Sequence, residues 1–286
     1  MADGFNLGSY LARIGYRGPT DPTAETLAGI VLAHAQAIPF ESIDPLLARP
    51  VSIDMPSIVA KLVDCRRGGY CFEQNALLEA GLEALGFSVT GLAARVLAVD
   101  PERGNLPRTH MVLAIDLADG VSIADVGYGG QTPTGPLRLH VTGRQETPHE
   151  PYRLTNRDFG GAPLYCLESF AGGAWTRLYE FDLQPQTHAD YEMANYFTST
   201  HPNGGFLGVL KAALPAPGCR HALVGNRLSV YFADGRVERN HLTSPDALRQ
   251  VLTGTFGIAL PDHPGLDVKL AELAATPAPD MTGEGR

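Results

Sequence analysis

The stretch RGGYCFEQNALLEAGLEAL, Arg67 to Leu85, reads in two halves. Gly68 and Gly69 break any preceding helix. From Cys71 on, apolar residues at 77, 78, 82 and 85 recur at helical spacing, and Gly86 is a C-cap candidate. The pattern predicts Cys71 at or near a helix N-terminus. A free thiol is only about 3% thiolate at pH 7. Unpaired N–H groups and the positive end of a helix dipole favour the thiolate. Glycines beside it would let a substrate approach the backbone closely. The competing reading is a buried cysteine acting as a small apolar residue.

Upstream, the first 85 residues read as helical. Ser9 to Ile14 is one short amphipathic turn or helix. Thr23 to Ala37 is stronger, with Thr26, Leu27, Ile30, Val31 and His34 on one stripe and Pro39 as a stop. Asp54 to Val63 follows, with Asp54 as N-cap and Pro56 in the first turn.

Downstream the period changes. SVTGLAARVLAV from Ser88, THMVLAIDL from Thr109 and VSIADVGYG from Val121 read as strands, with Asp119-Gly120 as a hairpin turn. Further strands are expected at Tyr152–Leu154, Leu164–Leu167 and Trp175–Phe181, which together suggest an antiparallel sheet or barrel. Residues 186–206 read as a helix running into a loop. A meander follows from Leu223 to Leu242, with turns at Gly225-Asn226 and Asp234-Gly235. Ser244-Pro245-Asp246 starts a last helix, and the Ala- and Pro-rich tail after Asp262 is expected to fray.

A cysteine nucleophile needs a base and an orienting acid. His34 lies on the apolar stripe of a helix and reads as a hydrogen-bonded core residue. His188, His201, His221 and His241 have polar surroundings and read as exposed. His110 opens an apolar strand, as either a strand-end surface residue or a base anchored on rigid scaffold. Asp125 lies between Ala124 and Val126, where a carboxylate is costly unless paired; an imidazole is one suitable partner, an exposed sheet edge the other explanation. A two-residue turn at Asp119-Gly120 would set Asp125 opposite Ala114, so a bulge, another turn or a neighbouring strand is needed to join it to His110.

Composition sets the bounds. The 286 residues are 44% hydrophobic and 19% charged, with a net charge of −9. That is a globular balance, and it argues against nucleic acid as a partner, which calls for a basic face. No apolar run is long enough to cross a membrane and no signal peptide is apparent, so a cytoplasmic location is expected. The four cysteines, Cys65, Cys71, Cys166 and Cys219, contain no C-x-x-C pair. Thiols are expected rather than bridges, and no metal site.

RGGYCFEQN closely resembles the active-site signature of arylamine N-acetyltransferases. Other segments follow in that family's order: IPFES (Ile38 to Ser42), RTHMVL around His110, ADVGYGG around Asp125, and NYFTSTHPNGGF (Asn195 to Phe206). The likeness spans about residues 5 to 260. It implies an α+β fold with a papain- or transglutaminase-like cysteine core: an N-terminal helical bundle (1–86), a central antiparallel β-barrel (87–195) and a C-terminal α/β lid (196–286). It implies a Cys71–His110–Asp125 triad, with a structural ion pair of Glu41 and Arg67 beside it. Thr109, Gly129 and Phe206 would contact the coenzyme, and Phe40 and Tyr128 the acceptor. Tyr128 stands where relatives often carry Phe, so its hydroxyl would alter acceptor choice. Ser42 replaces the usual Asn and would remove an amide from the network around Arg67. The implied activity is ping-pong acetyl transfer from acetyl-CoA, without a metal, to small aromatic amines, hydrazines or N-hydroxyarylamines. Alternatives are a hydrolase or transglutaminase-like enzyme, an amide synthase that closes a macrocycle, and a binding module that retains the fold.

Overall fold

The computed structural model describes residues 4–97 and 106–277. The last two residues of the strand predicted from Ser88 and the end of the tail lie outside them. The helices are α1 (Leu7–Ile14), α2 (Ala24–Ala37), α3 (Ile43–Leu46), α4 (Met55–Ile58), α5 (Cys71–Ala84), α6 (His188–Thr200), α7 (Pro245–Gln250) and α8 (Pro264–Ala274). α4 continues as a π-helical turn over Val59–Asp64, and α7 over Val251–Thr255. Side-chain oxygens of Asn6, Thr23 and Asp54 accept first-turn N–H groups of α1, α2 and α4.

The strands are β1 (Phe40–Glu41), β2 (Ser88–Val96), β3 (His110–Leu117), β4 (Gly120–Ala124), β5 (Leu137–Arg138), β6 (Tyr152–Phe159), β7 (Ala162–Ala171), β8 (Ala174–Phe181), β9 (Lys211–Ala216), β10 (Cys219–Val224), β11 (Arg227–Phe232) and β12 (Val237–His241). They form two sheets. One runs β5-β4-β3-β2-β8-β7-β6 and curls into a nearly closed barrel; the other runs β1-β9-β10-β11-β12. Gln145 spans the gap between the edges of the barrel. Its main chain exchanges hydrogen bonds with Tyr152 of β6 at 2.7 and 2.9 Å. Its side-chain amide accepts from the Arg138 N–H of β5 at 2.8 Å and donates to the Arg138 carbonyl at 3.1 Å.

β3 is buried on both faces, which is why its sequence is a continuous apolar run. Met111, Leu113 and Ile115 pack on the N-terminal helices with Leu77, Leu78 and Phe72. Val112 points into the barrel, with Leu92, Ile123, Leu167, Leu178 and Phe181. The second sheet is covered by α7, its π turn and α8 through Leu223, Leu248, Leu252, Phe256, Leu266 and Leu270.

Three expectations need correction. The β3–β4 turn is one residue earlier than Asp119-Gly120, because Leu117 pairs with Gly120. The chain after Asp262 does not fray at once. Pro264 starts α8, Leu266, Leu270 and Ala274 bury one helical stripe, and Asn226 donates to the Leu273 and Thr276 carbonyls at its end. Covered by these helices, His221 and His241 are half-buried rather than exposed: His221 meets the Phe256 ring edge, and His241 the Thr276 carbonyl. Among the described residues no helix is long and apolar enough to cross a membrane.

Candidate active site

Cys71 is the first residue of α5 and is buried, with Gly86 closing the helix region at φ +88°. Its thiol donates to the Thr109 carbonyl at 3.6 Å. The next residue along β3's approach, His110, is buried on the barrel-facing side of the strand. His110 Nε2 lies 2.7 Å from Asp125 Oδ2, and Cys71 is close enough to contribute to the raised pKa of the ring. The corrected turn explains how the acid arrives. With Leu117 opposite Gly120 the ladder runs Leu113–Ala124, so one further step sets Asp125 across from Val112. His110 is two residues away on the same face, a diagonal neighbour within side-chain reach. No bulge is needed.

Asn75, one turn after Cys71, clamps this arrangement. Its Nδ2 donates to Asp125 Oδ1 (3.0 Å) and to the Met111 carbonyl (2.7 Å), and its Oδ1 accepts from the Val126 N–H (3.0 Å). The Gly127 N–H also donates to Asp125 Oδ1, at 2.9 Å. A Cβ at Gly127 would come within 2.6 Å of the Cys71 Cα, so this loop touches the helix only without a side chain. Gly68 and Gly69 serve close packing: a Cβ there would strike the Pro39 carbonyl at 2.0 Å or the Glu73 carboxylate at 2.7 Å. His34 is fully buried; its Nδ1 lies 2.9 Å from the Tyr10 hydroxyl and its Nε2 2.8 Å from Gln74 Oε1. Gln74 Nε2 in turn donates to the carbonyls of Ile38, Pro39 and Gly69 beside the nucleophile loop.

Burial alone would lower the His110 pKa. The Asp125 carboxylate, its hydrogen bond and Cys71 outweigh it and raise it to about 10. Asp125 is held low: burial opposes this, but His110, Asn75 and the Gly127 N–H prevail. The folded chain therefore binds the His110 proton more tightly than the unfolded one. The stability gained is complete below about 6.5 and lost as pH rises through about 10. Urea midpoints measured across that range should fall in the wild type, and the fall should be shallower in His110→Gln.

A chain of charges leads to the residue before Cys71. Arg67 donates to Glu41 Oε1 at 2.6 and 3.0 Å and to Asp44 Oδ1 at 3.1 Å. Lys61, on the π turn, reaches Asp44 Oδ2 and Glu73 Oε1, each at 2.7 Å. Glu73 Oε2 accepts the Tyr70 N–H at 3.0 Å. Burial would lower the Lys61 pKa, but Glu73, Glu41 and Asp44 outweigh it and hold the ammonium charged. Ser42 takes no part in this network. Its Oγ donates to the Val209 carbonyl and accepts the Lys211 N–H, each at 2.8 Å, pinning β1 to β9.

The remaining predicted residues form two aromatic walls. Phe40 and Tyr70 both pack on Phe206, with centroids 6.0 and 5.5 Å apart, and a Cβ at Gly129 would sit 3.5 Å from Phe40. Tyr70 OH bonds Asn195 of α6. On the other side Tyr128 and Tyr179 pack on the His110 ring at 5.5 and 4.9 Å. The Tyr128 hydroxyl donates to the Leu178 carbonyl at 3.3 Å and is turned into the barrel. Sequence reasoning did not single out Asp44, Lys61, Glu73, Gln74, Asn75 or Tyr179. The one available signal was the polar trio Glu73-Gln74-Asn75, too wide for one solvent face of a helix that carries Glu79 and Glu83 as well. Among the described residues no group of three or more His, Cys, Asp or Glu is arranged to hold a metal ion.

A model of the N-acetyltransferase family matches residues 23–264. With a helix-borne cysteine set against a sheet-borne histidine, this makes the chain an acyltransferase enzyme. An arylamine N-acetyltransferase of Mycolicibacterium smegmatis is 41% identical over 277 residues, covering 95% of this chain and 99% of its own length. One of Escherichia coli is 37% identical over 263 residues, 90% of each chain. The solved structure of the Mycobacterium marinum arylamine N-acetyltransferase matches with a TM-score of 0.89 at 38% identity, covering 94% of this chain and 100% of that one. Its complex with CoA matches at 0.87 and 37% identity, with 94% and 99% covered. The chain belongs to the arylamine N-acetyltransferase family.

Proposed function

We propose that the protein transfers an acetyl group from acetyl-CoA to arylamines, arylhydrazines or N-hydroxyarylamines through an acetyl-Cys71 intermediate. The observation that carries this reading is the hydrogen-bonded pair of Asp125 and His110 set beside Cys71 at a helix N-terminus. The solved CoA complex of a relative supports the donor. A Salmonella typhimurium relative, 36% identical and described as both an arylamine N-acetyltransferase and an N-hydroxyarylamine O-acetyltransferase, supports the acceptor range.

In this mechanism His110 holds Cys71 as a thiolate in an ion pair, and Asp125 fixes the ring and its charge. The thiolate attacks the thioester carbonyl, forming a carbon–sulfur bond. The Cys71 and Phe72 N–H groups that open α5 stabilise the oxyanion. The intermediate collapses and CoA leaves with the imidazolium proton. The acceptor nitrogen then attacks the acyl-enzyme, His110 takes its proton, and the Cys71 thiolate is expelled. Thr109, Gly129 and Phe206 contact the coenzyme in this reading, and Phe40 and Tyr128 the acceptor; Glu41 and Arg67 support the loop that carries Cys71.

Intact-mass spectrometry after brief mixing with acetyl-CoA tests both half-reactions. One added acetyl group on Cys71, lost when an arylamine is supplied, is the expected result. Folded protein without an adduct would sink the proposal and favour a hydrolase or an amide synthase with another acyl donor.

A further inference from the structure

The well-buried cations near the site have satisfied head groups. Arg67 and Lys61 share Glu41, Asp44 and Glu73, and Arg13 donates to the Leu62, Ala37 and Arg67 carbonyls. Lys211, the first residue of β9, differs. It is half-buried, yet among the described residues its ammonium meets no carboxylate and makes no hydrogen bond. Its one close partner is the face of Phe206, 4.5 Å from the ring centroid. Burial pushes its pKa below the ordinary lysine range, and no neighbouring charge counters the shift.

Partial burial of an ammonium without a counter-charge carries a hydration cost. A cation–π contact offsets only part of that cost. Glu41 and Asp44, on the adjoining β1 and α3, are already held by Arg67 and Lys61. The backbone under Lys211 is rigid: its N–H donates to Ser42 Oγ at 2.8 Å and its carbonyl accepts the Ser42 N–H at 3.1 Å. The ring beneath the ammonium belongs to the Phe40–Phe206–Tyr70 group, and Tyr70 immediately precedes Cys71. An aromatic platform with an uncompensated cation at its edge fits a flat or extended substrate carrying a negative group.

We propose that Lys211 recognises an anionic oxygen group, carboxylate or phosphate, on a substrate lying against Phe206, the partly exposed ring of this group. The proposal rests on the transferase reading above. Two substrates can bring that chemistry: an acceptor with a ring carboxylate, or the phosphates of the acetyl donor.

Lys211→Met and Lys211→Arg would be compared with wild type using acetyl-CoA or uncharged p-nitrophenyl acetate as donor. Each donor would be paired with 4-aminobenzoate or uncharged 4-methoxyaniline as acceptor. In a ping-pong scheme kcat/KM reports each half-reaction separately. Lys211→Met is expected to lower kcat/KM about tenfold or more for an anionic reagent, the scale of one lost charge-assisted hydrogen bond. The uncharged pair should be unaffected, and Lys211→Arg should recover most of the loss. A loss confined to 4-aminobenzoate identifies the carboxylate; one confined to acetyl-CoA identifies the phosphates. Equal losses with all reagents, or none, would overturn the proposal and leave Lys211 a packing residue for Phe206. Wild type inert with every pair would overturn the transferase reading and this one with it.

Discussion

Alanine at position 71 is expected to abolish acetyl transfer, by about 10⁴-fold or more, the scale seen when a catalytic nucleophile is deleted. No other described thiol is placed to substitute. Cys65 is exposed, and burial raises the pKa of Cys166, despite the nearby Arg177, and of Cys219. The fold should survive, because the Cys71 side chain packs as a small apolar group and, among the described residues, its one hydrogen bond is a weak one to the Thr109 carbonyl. Two readings check this: no acetyl adduct by intact mass, and a urea midpoint close to wild type. Near-normal turnover in the alanine variant would refute Cys71 as nucleophile.

The second large effect is on stability. Lys61→Met should destabilise the protein by about 3 kcal/mol or more, because breaking a buried pair leaves an uncompensated charge. Here two carboxylates lose their shared cation, and both are well buried. The fall should appear in the denaturation midpoint and be partly restored by adding Glu73→Gln. That second change removes one stranded charge and keeps an oxygen for the Tyr70 N–H. A Lys61→Met midpoint equal to wild type would mean that the network contributes nothing net.

The helices and the Cys71 helix start were legible because their signals are local: an N-cap at Thr23 or Asp54, a period, a glycine stop. The barrel strands were legible from their residue types. β9 was not. It carries Pro215, which reads as a breaker. Lys211 N–H and carbonyl point toward β1, so Pro215, four residues on, turns its missing N–H to the same side. There β1 pairs only at Ala212 and Ala213, so no ladder bond is lost. α8 was hidden by composition: Ala and Pro outweighed the stripe of Leu266, Leu270 and Ala274. At the site, the juxtaposition of Asp125 and His110 depended on a turn shifted by one residue, below the resolution of turn signals. The Lys61 links were illegible for a different reason. A π turn sets where that side chain emerges, and nothing in the residues 59–64 marks it.

Gln145 has a consequence for the behaviour of the molecule in concentrated solution. An open sheet exposes two rows of unpaired main-chain groups, each a template on which a second chain can add a strand. By pairing through its main chain on one edge and its amide on the other, one residue occupies both templates where they approach. At that point the barrel closes as a seam within one chain rather than as a bare edge to which a second chain can add.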